Sequence, residues 1–189
     1  MGALQYADDS NGDIGMCIDT ASEMLYKMAN GQEDEQARKQ IIDYCFNAFE
    51  KYIYEGWDLH IGMLRITAML LKTDEDKERI FSLIDKADRS DYEREEAQSI
   101  KYEVLLKNGE EEEASKYLEK NISNPNLRRE AIEKAMLDKN YYRAIEIARD
   151  GVDHDMKDKP GLAKGWYDWL LRIAQAQNDE TKIIEHAGI

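Results

Sequence analysis

Between Leu127 and Val152 the chain carries two short apolar stripes at helical spacing, separated by the polar break Asp138 to Asn140. Leu127, Ala131 and Ala135 precede the break, and Ala144, Ile145 and Ala148 follow it. The spacing predicts two helices folded back on each other. A pair this short cannot bury its apolar faces alone, so units of the same kind must stack on either side.

The rest of the chain supplies them. Valine occurs twice and threonine four times, whereas Glu, Lys, Leu, Ala, Arg and Met dominate, which favours helices and starves strands. Ile14, Cys17, Ala21, Leu25 and Met28 predict a first helix, capped by Asp13 and stopped by Asn30-Gly31. Ala37, Ile41, Cys45, Phe49 and Tyr52 form the inner face of a second, ended by Gly56. A third begins near Trp57 with Ile61, Leu64, Ala68 and Leu71 inward, and a fourth near Asp76 with Ile80, Phe81, Ile84 and Ala87. Ser90 and Glu93 are spaced as a capping box that starts a fifth at Asp91, and Asn108-Gly109 breaks it.

Glu110 to Glu113 then occupy the first turn of a sixth helix, where carboxylates complement the helix dipole. Asn124-Pro125 closes that unit, because the residue before proline avoids helical angles. Pro160 starts a ninth helix with Leu162, Trp166, Leu170 and Ile173, and Asn178-Asp179 separates it from a short tenth with Ile183, Ile184 and Ala187. The expectation is one all-α domain over residues 1–189, a right-handed α–α superhelix of about five antiparallel helix pairs. The pairs span roughly residues 13–55, 57–88, 91–122, 126–152 and 160–188.

Ile80, Ala114, Ala144 and Ile183 fall in matching places in successive second helices, at intervals of 34, 30 and 39 residues. With Asn140-Tyr141-Tyr142-Arg143-Ala144-Ile145 as a turn followed by aromatic, polar and small residues, this resembles the tetratricopeptide family. Gly151 falls where that family has a second small residue, or else ends its helix as a left-handed cap. The family's first-helix tryptophan and glycine and its closing proline are not recovered. The run Asp13 to Cys17 and the helix from Gly161 to Gln177 also resemble the helical region following SWIM zinc fingers in some bacterial proteins. The chain has no Cys-x-Cys, so that resemblance transfers no metal site.

Little in the sequence carries chemistry. The entry to the first helix, with Asp8, Asp9, Asn11 and Gly12, fails the calcium-loop pattern, whose end positions fall on Ala7 and Ile18. His60, His154 and His186 are dispersed, and Asp150, Asp153, His154 and Asp155 read as a solvated helix end. Glu-x-x-His, Gly-x-Gly-x-x-Gly and Gly-Lys-Ser/Thr are absent. Cys17 and Cys45 lie on apolar stripes, as reduced, buried, unreactive thiols. The expectations are no enzyme, no cofactor and no metal.

Acidic residues outnumber basic ones by 40 to 26, and a net charge of -14 disfavours nucleic acid and anionic membranes. No signal peptide is evident at the N-terminus, and a cytoplasmic protein is expected. The function expected is protein–protein interaction: a groove lined by first helices, with Tyr102, Arg129, Glu133, Trp169 and Arg172 outward, takes a peptide or domain. The net charge favours a basic partner. The alternatives are an acidic nucleic-acid mimic and a fragment of a larger protein. Against mimicry, acids interleave with bases in pairs such as Glu112 with Lys116 and Glu130 with Lys134. Trp166, Tyr167, Trp169, Leu170, Ile183 and Ile184 predict an apolar C-terminal end that dimerises or packs on a following helix.

Overall fold

The computed structural model describes residues 11–30, 34–55, 59–87 and 90–187, without the side chains of residues 14, 18, 22, 30 and 187. Among these residues there are ten helices and no strand. They are α1 (Asp13–Asn30), α2 (Glu35–Glu50), α3 (Leu59–Leu70), α4 (Asp74–Ile84), α5 (Asp91–Lys107), α6 (Glu111–Lys120), α7 (Pro125–Leu137), α8 (Tyr141–Asp155), α9 (Pro160–Gln177) and α10 (Glu180–Ala187). The expected breaks at Asn30-Gly31, Gly56 and Trp57 touch residues outside the described ones, as do Asp8 and Asp9.

Side-chain caps set the helix starts. Asp34 accepts from the Ala37 amide at 2.8 Å, Thr73 from Asp76 at 3.1 Å, Ser90 from Glu93 at 3.1 Å and Asn140 from Arg143 at 3.2 Å. Thr73 therefore starts α4 at Asp74, two residues before the expected Asp76. Asn124 caps α7 with an extended backbone, ψ 122°, before Pro125, the first helical residue. Three helix ends turn on a non-glycine residue with positive φ: Tyr52, Lys139 and Asn178. At Tyr52 and Lys139 the next amide reaches back to the last helical turn, Ile53 to the Ala48 carbonyl and Asn140 to the Ala135 carbonyl.

The chain divides into two compact units, Met1–Gly109 and Glu110–Ile189. The sequence reading takes residues 1–189 as one domain, and its pair over 91–122 straddles this division. In the first unit α3 is the centre, packed by α1, α2, α4 and α5, and ten of its twelve residues are buried. It is apolar nearly all round, so it needs cover on every side. Its last turn holds no basic residue. The carbonyls left without a helical partner there are met from other helices: Arg38 on α2 donates to Leu70 at 3.1 Å, and Lys107 on α5 donates to Met69 at 2.6 Å and Ala68 at 3.1 Å. Arg38 also donates to Asp76 on α4 at 3.2 Å, tying three helices together.

Two expectations about this unit are corrected. The α1 stripe is rotated: Cys17, Ala21 and Met28 are exposed, whereas Ala29 is buried and Leu25 and Tyr26 are half-buried against the core. The physical reason is that α1 packs on α3, where Gly62 leaves room beneath the Tyr26 hydroxyl, rather than chiefly on α2. Tyr52 does not continue the inner face of α2. It is the left-handed residue past the helix end, stacked 5.3 Å from His60, whose ring also stacks 4.3 Å from Phe49.

In the second unit each helix packs on the next, α6 on α7, α7 on α8, α8 on α9 and α9 on α10. Ala114, Ala131, Ala144 and Ala148 are buried, and their small side chains let the axes approach. Gly151 does not cap α8, which continues to Asp155.

Candidate functional site

The second unit is pinned by a buried polar cluster. Asp155, 2 % exposed at the end of α8, accepts from the Trp166 indole N–H at 2.7 Å and pairs with His154 Nδ1 at 2.8 Å. Arg128 on α7 is 3 % exposed, with Nη1 3.6 Å from Asp155 Oδ2 and its guanidinium over the Trp166 ring. Burial disfavours the Asp155 charge, but the bonds from Trp166 and His154 and the nearby Arg128 outweigh it, holding the carboxyl below its ordinary range. Burial likewise pulls Arg128 down, offset in part by Asp155 and Asp150. The expectation of a solvated helix end at Asp150 to Asp155 is thus wrong for Asp155. Only the folded position of Trp166, eleven residues away, reveals it.

This cluster holds α7, α8 and α9 together and is closely packed at Gly151. A Cβ on Gly151 lies 3.0 Å from Arg128 Cδ, Arg128 Nη1 and Trp166 Cδ1. The open feature lies beyond it. Between α8, α9 and α10 is a groove of about 240 Å³, floored by Ile145, Leu170 and Ala174. Arg149, Lys182 and His186 stand around it, and Tyr142, 82 % exposed, forms a lip. Lys182 is tied to Asp179 at 3.2 Å. Arg149 is exposed and engages no carboxylate among the described residues. His186 Nδ1 is buried without a hydrogen-bond partner.

The five residues expected to line a groove are distributed otherwise. Tyr102 lies in the first unit and is 5 % exposed, because α5 packs on both α3 and α4 and buries a wider face than one stripe. It lines no groove. Arg129 is half-buried, donating to Asn126 at 2.8 Å with its guanidinium 5.5 Å from Trp166. Arg172 is exposed with its guanidinium 4.8 Å from the half-buried Trp169, and Glu133 is exposed. None of the five belongs to the groove between α8, α9 and α10. Its sequence signal is an i,i+4 pair on each helix: Ile145 and Arg149, Leu170 and Ala174, Lys182 and His186.

The thiols separate in environment. Cys45 is buried, and burial pushes its thiol up to about 12, whereas Cys17 is exposed. The expectation that both are buried is corrected for Cys17. Among the described residues no group of three or more His, Cys, Asp or Glu converges as a metal cage. No helix among them is long and apolar enough to cross a membrane. Trp166 and Leu170 are covered within their unit, so they do not contribute to an exposed C-terminal patch, whereas Ile184 is 75 % exposed. Comparison with known proteins finds no matching family model, no similar curated protein and no similar solved structure.

Proposed function

We propose that the chain is a non-catalytic, tetratricopeptide-like helical-repeat scaffold that binds a protein or peptide partner, with its helix pairs wound in a right-handed superhelix. The observation that carries the binding role is the groove between α8, α9 and α10, with an apolar floor, a cationic rim and an exposed aromatic lip. The packing pattern supports the repeat. Within the first unit the odd-numbered helices contact one another, α1 with α3 and α3 with α5, as first helices of stacked pairs do. Within the second, Arg128 and Arg129 of α7 lie over Trp166 of α9. Ile80, Ala114 and Ala144, matched by the repeat register, are each buried.

The groove is smaller than the roughly 300–1,000 Å³ of small-molecule sites, which suits one or two side chains of a peptide better than a cofactor. Selection from a random peptide-display library on the immobilised full chain tests this reading. Enriched peptides should lose binding to Tyr142→Ala, a change at an exposed position that leaves folding intact. Failure of any peptide to enrich, or binding indifferent to that change, counts against it.

Self-association through α10 is a second reading, favoured by the exposure of Ile184. Sedimentation of the intact chain and of a Trp169→Glu, Ile184→Glu variant decides it. An intact chain that stays monomeric at high concentration removes this branch.

A further inference from the structure

The chain as a whole is strongly acidic, and its net charge points to basic partners. The groove between α8, α9 and α10 has the opposite local character. Its basic lining residues are Arg149, Lys182 and His186, and no carboxylate lines it. Some cations elsewhere on the surface are paired with neighbouring acids, as Lys116 is with Glu112 and Arg143 is with Glu119 and Glu146. At the groove, Asp179 satisfies Lys182, but Arg149 engages no carboxylate among the described residues, and His186 Nδ1 is buried without a hydrogen-bond partner.

We propose that the groove takes an acidic peptide segment, with an aliphatic or aromatic side chain seated on Ile145, Leu170 and Ala174 and a flanking carboxylate meeting Arg149. This rests on the peptide-binding reading and specifies its partner. The apolar floor gives a side chain a surface from which to exclude water. Arg149 offers a planar set of donors that matches a carboxylate in bidentate fashion. Tyr142 can cover the seated side chain from the lip, since its ring adds apolar area at small entropic cost. A basic segment would set its own cations against Arg149 and Lys182.

The test uses labelled peptide pools, each with a central Leu or Phe and flanks of Glu, of Gln or of Lys, titrated against the full chain. Tyr142→Ala and Arg149→Glu variants are titrated in parallel, with circular dichroism to show that both remain helical. The Glu-flanked pool should bind at least about tenfold more tightly than the Gln-flanked pool, a difference that shrinks as salt screens it. Arg149→Glu should abolish the preference, and Tyr142→Ala should weaken every pool that binds. Equal binding of Glu and Gln pools, still sensitive to Tyr142→Ala, overturns the acidic specificity and leaves peptide docking standing. Tightest binding by the Lys pool overturns it in favour of a basic partner. Silence of all three pools overturns the specificity and the docking reading together.

Discussion

Replacing Gly151 by alanine sets two opposed effects against each other. In the interior of a helix, glycine to alanine ordinarily stabilises by about 0.5–1 kcal/mol, because the unfolded chain loses freedom. In α8 the new Cβ meets Arg128 Cδ, Arg128 Nη1 and Trp166 Cδ1, each at 3.0 Å. Neither neighbour is a loose surface side chain. Trp166 is 1 % exposed and held by its indole bond to Asp155, and Arg128 is 3 % exposed beside the same carboxylate. Overpacking at such a site costs about 1–3 kcal/mol, so the net effect is a loss of about 1 kcal/mol. Gly165 on α9 is the control, since nothing lies within 4 Å of a Cβ there. Gly165→Ala should stabilise by about 0.5–1 kcal/mol. Urea unfolding followed by far-ultraviolet circular dichroism measures both. A higher midpoint for Gly151→Ala would refute the close approach of α7 and α9 over this glycine.

Asp155→Asn removes one partner of a buried charged cluster and should cost about 3–5 kcal/mol near neutral pH. Because the folded-state pKa of Asp155 lies below its ordinary value, its contribution is complete above the unfolded value of about 4 and is lost as pH falls through the folded value. The gap between wild type and Asp155→Asn should therefore close below about pH 4 in acid-unfolding titrations, and a gap independent of pH would contradict the assignment. Ala144→Leu, at a fully buried position of α8, should overpack the helix pair by about 1–3 kcal/mol, and an unchanged denaturation midpoint would show the repeat register to be wrong. A thiol reagent at pH 8 should modify Cys17 quickly in the folded protein and Cys45 only after denaturation, read as one and then two equivalents by mass spectrometry.

Helix boundaries were legible wherever the signal is local. Ser90 with Glu93, Pro160, Asn108-Gly109 and Asn178-Asp179 mark starts and stops through caps and turns that involve only neighbouring residues. What each helix packs against was less legible. The α1 stripe departs from the expected one because several faces of that helix carry apolar residues, and packing on α3 selects among them. Tyr102 looks outward on a one-stripe helix, yet α5 has two neighbours and buries it. Asp155 stands in a polar run with Asp150, Asp153 and His154, where sequence gives no hint that an indole eleven residues on will bond it. Nothing local marks Arg38 and Lys107 as partners of the α3 terminus, because the carbonyls they meet belong to a helix more than thirty residues away. The groove residues were partly visible as the apolar Ile145 and Leu170, but the cations beside them gain meaning only when α8, α9 and α10 converge.

The most direct measurement of the binding role is an amide chemical-shift map of the isotope-labelled full chain, titrated with a peptide enriched by display. Perturbed amides should group around Tyr142 to Arg149, Leu170 to Gln177 and Lys182 to His186, with the Trp166 indole signal unmoved because it is sealed against Asp155. Saturable perturbations centred on other helices, with these three segments silent, would contradict it.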